Sequence, residues 1–341
     1  MAHGPEYIER AGTYRAGLAA SMAISSVESP FDDRQDRTLR PGELISAYRI
    51  DRLVGAGGMG AVYRAEHVLS SRVVALKVLR EEQIGVDRSV DRMMREASIL
   101  ASVSHPGLPQ FFECGLLDDG RPWIAMELID GEPLHAHLQL GPLPPDEVIA
   151  LLGSVAEVLA AAHGRSVTHR DLKPDNIVLT PGDSAFPVRV IDWGIAHHLA
   201  GTRFTSMNEA VGTPTYMAPE QARGGPTGGH CDIYGLGVVA YQAMTGRPPF
   251  LGQSSVEILV QHLNRPVPPL GPRCPDAPMG LVELVESMLL KNYEGRPTAG
   301  ELLAELRSLE LAVRDEGGVP TLISDDRLTP VTAQLRAPRP F

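Results

Sequence analysis

The sequence predicts an α+β chain of two lobes, a small antiparallel β-rich lobe with one key helix and a larger helical lobe after it. Three observations carry the prediction. Between Tyr48 and about Leu128, β-branched and apolar runs are punctuated by glycines, the pattern of short strands and hairpins. After Asp130-Gly131 the apolar residues switch to helical spacing over longer runs. The 341 residues are enough for two domains or one large two-lobed domain.

Taken in order, residues 1–46 hold scattered Ser, Asp, Arg and Gly without sustained period, which predicts a flexible leader with at most a short helix near Glu6–Met22. The densely patterned region is 47–309, with lobes 47–128 and 132–309 joined at 128–131. Strands are predicted at Tyr48–Val54, Ala61–His67 and Val73–Leu79, each β-branched and apolar between glycines. Asp87–Ser102 reads as a helix, with Asp87 at its N-cap and Val90, Met93, Ala97 and Leu100 on one stripe. Strands Gln110–Cys114 and Trp123–Leu128 complete the first lobe. In the second lobe Pro145–Gly164 places Val148, Leu151, Val155, Val158, Leu159 and Ala162 at helical spacing. Further helices are expected at Asp232–Thr245, Ser254–Asn264, Met279–Leu290 and Thr298–Leu309. Residues 310–341, with Glu-Gly-Gly-Val-Pro and an Arg-Ala-Pro-Arg-Pro-Phe end, read as a flexible Pro/Arg-containing tail. No internal repeat is present.

Composition narrows the function classes. Apolar residues make up 43% and charged residues 21%, so a sizeable core is available. The net charge of −11 and the lack of a long Lys/Arg cluster argue against nucleic acid as a partner. Cys114, Cys231 and Cys274 are widely separated, without metal-ligand spacing, which suits a reducing cytoplasm. The longest apolar stretch, Val148 to Ala162, is 15 residues interrupted by Glu157, too short and too polar for a bilayer. The start Met-Ala-His-Gly-Pro-Glu lacks the pattern of a signal peptide. The expectation is a soluble, cytoplasmic protein with no membrane partner.

The chemistry is concentrated in His169-Arg170-Asp171-Leu172-Lys173-Pro174-Asp175-Asn176. It sets a base (Asp171), a cation (Lys173) and a metal-liganding amide (Asn176) within six residues. Phosphoryl transfer needs such a set, because its catalysis is mostly positioning and charge neutralisation. Gly55-Ala56-Gly57-Gly58-Met59-Gly60-Ala61-Val62 has the GxGxxG spacing that also marks dinucleotide-binding turns. A dinucleotide turn should open a helix, whereas the residues after Gly60 are strand-like. The segment is therefore read as a glycine-rich hairpin, able to lay backbone N–H groups over phosphates, in preference to a plain turn.

In Val74-Ala75-Leu76-Lys77, alternation puts Ala75 and Lys77 on one face. A lysine pointing inward from an apolar strand needs an anion. Glu96 is the nearest mid-helix carboxylate candidate, with Glu81 and Glu82 as competitors. Asp192-Trp193-Gly194 follows the strand Val188–Ile191, sixteen residues after Asn176. A carboxylate there, with Asn176, would give the hard oxygen donors that magnesium prefers.

These motifs, with Ala218-Pro219-Glu220, stand in the order of the protein-kinase signature set. Over residues 48–309 the chain resembles the bacterial serine/threonine kinases of the eukaryotic-like type, notably in Gly212-Thr213-Pro214 and Glu220-Gln221-Ala222-Arg223-Gly224. The resemblance implies the bilobal protein-kinase fold, ATP as phosphoryl donor, Mg2+ as cofactor and protein Ser/Thr hydroxyls as acceptors. It implies that Asp171 orients and deprotonates the acceptor while Lys173 neutralises the γ-phosphate. Lys77, braced by Glu96, would hold the α- and β-phosphates, and Asn176 and Asp192 would hold the metal. Val54, Val62, Ala75 and Val178 match positions that sandwich adenine. The Glu127 and Ile129 backbones would bond its edge behind the gatekeeper Met126. Glu220 should pair with Arg296, and Asp232 should tie the catalytic loop to its helix.

The resemblance departs at Trp193, where the family has Phe. Tryptophan keeps the apolar bulk against His169 but adds volume and an N–H that wants a partner. Regulation is also implied. Arg170 matches an arginine that commonly receives a phosphate from the activation segment, which here offers Thr202, Thr205 and Ser206, with Thr205 favoured. Thr213 matches the threonine that touches the catalytic Asp and Lys. A homodimer for autophosphorylation is compatible with this, though no heptad seam marks one. The competing readings are a pseudokinase scaffold and a small-molecule kinase. The first is disfavoured because Lys77, Asp171 and Asp192 are all retained, the second because Ala218-Pro219-Glu220 and Leu172-Lys173-Pro174 are present.

Overall fold

The structure, a computed structural model, describes residues 38–57, 60–79, 97–180, 186–193 and 214–315. Strands β1 (Leu44–Ile45), β2 (Tyr48–Gly57), β3 (Gly60–His67), β4 (Val73–Leu79), β5 (Phe111–Leu116) and β6 (Pro122–Glu127) form one antiparallel sheet in the order β1-β2-β3-β4-β6-β5. Its buried face packs Tyr48, Ile50, Tyr63, Leu76 and Trp123. The alternation expected in β4 is present. Its register pairs Ala75 with Met126 and Lys77 with Ile124, putting both side chains on the face that looks into the cleft.

The sheet reaches back beyond the expected leader boundary at 46. The two-residue β1 pairs with β2, and the buried Leu39 donates its N–H to Tyr63 Oη at 3.1 Å. Strand β2 runs three residues past the predicted Val54, because Gly55, Ala56 and Gly57 stay paired with Val62, Ala61 and Gly60. The ladder skips Val54 between Leu53 and Gly55, a bulge that twists the hairpin. Gly60 is required there. It has φ +146°, and a Cβ would lie 2.1 Å from the Val78 carbonyl oxygen. Of the helix predicted over 87–102, only 97–102 is described; 97–101 are helical, and Ala97 and Leu100 are buried.

The second lobe begins with β7 (Glu132–Pro133) and the short helix α1 (Leu134–Leu138), neither long enough to show a period in sequence. Helix α2 (Pro145–His163) starts with Pro at its first turn and carries Asp146 and Glu147 where the helix dipole favours anions. Val148, Leu151, Leu152, Val155, Val158 and Leu159 are fully buried, so the predicted stripe is the core face. Strands β8 (Ile177–Leu179) and β9 (Val188–Val190) pair antiparallel behind the His169–Asn176 octapeptide.

Helix α3 (Pro219–Ala222) is a single turn. Helix α4 (Gly229–Thr245) starts three residues before the prediction and stops at Gly246, whose φ of +78° is the left-handed C-terminal stop. Helix α5 (Ser255–Asn264) is capped by Ser254, whose hydroxyl accepts from Glu257 N at 3.2 Å. Helix α6 (Met279–Met288) ends two residues earlier than expected. Helix α7 (Ala299–Asp315) outruns the predicted Leu309. Thr298 and Glu301 close a capping box at its start, and Val313 still packs on the core at its end. Among the described residues no helix is long and apolar enough to cross a membrane.

Candidate active site

The octapeptide forms a loop between α2 and β8 that the lobe's core holds from beneath. Asp232, 1% exposed on α4, receives the His169 N–H at 2.8 Å, the Arg170 N–H at 2.7 Å and His163 Nε2 at 2.8 Å. Arg170 sits at φ +66°, a left-handed conformation that costs a non-glycine residue about 1–3 kcal/mol and must be held by its surroundings. Gln221 adds a second tie, donating to the Arg170 carbonyl at 2.9 Å while its Oε1 accepts from Ala218 N at 3.1 Å. Asp232→Ala orphans two backbone donors and is expected to cost roughly 2–6 kcal/mol at about 1–3 per orphan. Chemical denaturation measures that loss. Amide exchange at His169 and Arg170 should accelerate with it, and unchanged protection there would contradict the assigned role.

Above this base the charged groups converge. Lys173 Nζ lies 2.7 Å from Asp171 Oδ2. Asn176 Nδ2 donates to the Asp171 carbonyl at 2.8 Å. The Ile191 N–H donates to the Asn176 carbonyl at 2.9 Å and so brings the next residue, Asp192, alongside. Asp192 Oδ1 meets Lys77 Nζ at 2.9 Å. A chain of contacts thus runs Lys77, Asp192, Ile191, Asn176, Asp171, Lys173. Burial alone would raise the Asp192 carboxyl, but Lys77 outweighs it, with His169 and Lys173 assisting, and holds the group below the usual carboxylate range. Asp192 is itself left-handed at φ +58°.

His169 is fully buried and joins the two halves of the site. Its Nε2 meets the Ile191 carbonyl at 2.8 Å and its Nδ1 accepts from Asp171 N at 3.3 Å, a pattern the Nε2–H tautomer satisfies. The indole of Trp193 lies 5.0 Å from the imidazole, centroid to centroid. The partner its N–H requires is the Val190 carbonyl, at 2.8 Å.

Across the cleft, Ala75 and Val178 are buried, Val62 is half-buried and Val54 is exposed on the hairpin. Glu127 donates its N–H to the Gln110 carbonyl at 2.8 Å. Its carboxylate accepts from Gln110 N at 3.0 Å and pairs with Arg189. At Gly131 a Cβ would lie 2.4 Å from the Leu179 carbonyl oxygen, so glycine lets the inter-lobe connection pass close over β8. Behind Met126 a cavity is lined by Lys77, Leu79, Phe111, Ile124, Asp192 and Trp193.

Glu220 and Arg296 form the expected pair, Nη1–Oε1 at 2.7 Å and Nη2–Oε2 at 2.9 Å, both side chains buried. Gly58, Met59, Glu96, Thr202, Thr205, Ser206 and Thr213 lie outside the described residues. Sequence reasoning missed His163, Gln110 and Arg189, and it named Gln221 and Gly131 only as part of the family resemblance and the lobe boundary, without these contacts.

Residues 48–306 match the family model described as protein kinase domain. The chain is 38% identical over 283 residues to serine/threonine-protein kinase pkn3 of Myxococcus xanthus, covering 80% of this chain and 52% of that protein. It is 34% identical over 291 residues to serine/threonine-protein kinase PrkC of Bacillus subtilis, covering 84% and 44%. It is 36% identical over 267 residues to serine/threonine-protein kinase PknA of Mycobacterium tuberculosis, covering 77% and 61%. The chain thus spans about half the length of these curated relatives. The crystal structure of the Mycobacterium tuberculosis PknI kinase domain superposes with a TM-score of 0.63 at 28% identity, over 80% of this chain and 99% of that one. With the signature residues gathered around one cleft and the family model covering most of the sequence, the chain belongs to the protein kinase family.

Proposed function

We propose that the chain is an active ATP-dependent serine/threonine protein kinase that transfers the γ-phosphate to Ser/Thr hydroxyls of protein substrates and phosphorylates its own activation segment. The observation that supports this best is the unbroken line of contacts from Lys77 through Asp192 and Asn176 to Asp171 and Lys173. A scaffold without chemistry has no need to hold two strained backbone residues, Arg170 and Asp192, at one cleft.

In this reading the hairpin Gly55–Ala61 closes over the phosphates with Gly57 and Gly60 leaving room for its backbone. Val54, Val62, Ala75 and Val178 enclose the adenine, and the Glu127 carbonyl and the Ile129 backbone bond its edge. Lys77, braced by Glu96, orients the phosphates. Asp171 accepts the proton of the acceptor hydroxyl and fixes its line of approach, worth about 10²–10⁴-fold for a positioned base. Lys173, already at 2.7 Å from that carboxylate, offsets the charge on the transferring group. The donor set fits Mg2+, since Asn176 Oδ1 and the Asp192 carboxylate are hard oxygen ligands. The metal, when bound, supplies neutralisation of phosphate charge. A lysine two residues after the base is the serine/threonine pattern. Arg170 would receive a phosphate on Thr205 or Ser206 and so order the segment that carries Thr213. The three free cysteines agree with a cytoplasmic setting.

Phosphoamino-acid analysis tests the assignment. Purified chain incubated with γ-labelled ATP and magnesium should yield phosphoserine or phosphothreonine, from itself or a generic protein substrate, and site mapping should find Thr205. Recovery of phosphotyrosine alone would overturn the serine/threonine reading.

A further inference from the structure

We propose that Trp193 is a positioning residue whose indole N–H, bonded to the Val190 carbonyl, keeps the Asp192 carboxylate facing Lys77 before any nucleotide binds. The proposal rests on the reading of Asp192 as the metal-binding carboxylate. Asp192 has a backbone conformation that non-glycine residues rarely adopt, so its neighbours must hold it. It is held on two sides. Its own carboxylate is drawn to Lys77 at 2.9 Å. The residue after it, 5% exposed, packs against His169 and returns a hydrogen bond of 2.8 Å to the backbone three residues earlier.

The acceptor is itself fixed. Val190 ends β9, pairs with Ile177 of β8, and donates its N–H to the Gly107 carbonyl at 2.9 Å. The loop from Val190 to Trp193 is therefore closed at both ends around Asp192, by backbone pairing at one and by the indole at the other. Phenylalanine could fill the same apolar space beside Met126 and Ile124, but it has no donor for Val190. Turning the triplet outward would strand a buried carbonyl as well as expose the ring. Losing that one bond should change the balance between inward and outward triplets by a factor of roughly 5–30.

The experiment has two arms on the full chain. The sequence holds two tryptophans, Trp123 and Trp193, so 5-fluorotryptophan labelling gives two 19F resonances, which replacing either residue by Phe assigns. The unliganded wild type should show one narrow Trp193 resonance that adding ADP and magnesium leaves in place. Two Trp193 resonances, or one that shifts markedly with Mg·ADP, would overturn the proposal. In the second arm, calorimetry measures ADP affinity with and without magnesium. Trp193→Phe should reduce the magnesium-dependent gain by roughly 5–30-fold while metal-free ADP affinity stays unchanged. An undiminished gain would count against the proposal. If wild type binds no ADP at all, it is the kinase reading that fails, and the 19F signal of the unliganded chain still decides the role of Trp193.

Discussion

Replacing Asp171 by Asn is expected to lower phosphotransfer turnover by roughly 10²–10⁴-fold while the affinity for nucleotide changes little. The asymmetry follows from position. Asp171 touches Lys173 and Asn176, whereas the proposed nucleotide side of the cleft involves Lys77, Ala75, Val178 and the Gly55–Ala61 hairpin. Asparagine is nearly isosteric, so its N–H and carbonyl bonds to the loop survive and the loss falls on proton acceptance. Steady-state kinetics separate the two quantities. A variant that loses nucleotide affinity in proportion to turnover would place Asp171 in binding instead.

The largest stability effect is expected at Arg296. Its guanidinium is fully buried, bonds both oxygens of Glu220, reaches the carbonyls of Leu290 at 2.8 Å and His230 at 2.9 Å, and lies 4.7 Å over the Tyr234 ring. Arg296→Ala leaves a buried carboxylate without its cation, a change worth about 3–5 kcal/mol, or roughly 10 °C in Tm. Replacing Glu220 as well, by Gln in an Arg296→Met background, should recover part of the loss, because the uncompensated charge is what costs most.

The pair also sets a pH dependence. Burial would raise the Glu220 carboxyl, but its bonds from Arg296 outweigh that and hold it below the usual range. A lowered native value means that its stabilisation is complete above about pH 4.5, the ordinary glutamate value, and is lost as pH falls through the native value. Arg296→Ala should flatten that acid limb of the stability curve, which denaturation at a series of pH values measures.

The two-lobed α+β organisation was legible because both periodicities were long enough to read, in β2 to β4 and in α2. The short elements β1, β7 and α1 were not, since two to five residues carry no period. Helix ends slipped where a cap lay beyond the apolar stripe. The Thr298-x-x-Glu301 box was present in the sequence, but the stripe of α7 was cut short at Leu309 although Val313 still packs inward.

At the site, Asp171, Lys173, Asn176 and Asp192 were readable because they lie close together in sequence or follow a strand. Glu96, read as the carboxylate partner of Lys77 from its mid-helix place and the family resemblance, lies outside the described residues, and the described contact is with Asp192, 115 residues away. The need for a partner at Trp193 could be stated from its chemistry, but its identity depends on how β9 turns into the triplet. Nothing in sequence announced the group of buried Tyr234 and His262 with half-buried Lys291. There His262 Nδ1 meets the Tyr234 hydroxyl at 2.9 Å, and Lys291 Nζ donates to the His262 carbonyl at 2.8 Å. Burial, with Lys291 beside it, pushes His262 down to about 4, and burial, with Arg296 and Arg223, brings Lys291 down to about 8. Two helices and a loop meet there, and local pattern does not encode that meeting.

The account stands on Asp171 and Lys77 serving one phosphotransfer reaction from opposite sides of the cleft. The most direct measurement is transfer of label from γ-labelled ATP by wild type, Lys77→Met and Asp171→Asn in parallel, with ADP binding measured on the same preparations. Wild type should label protein, both variants should fall by roughly 10²-fold or more, and Asp171→Asn should still bind ADP as wild type does. Label transfer by Asp171→Asn at the wild-type rate, or none by a wild type that binds ADP and magnesium, would contradict it.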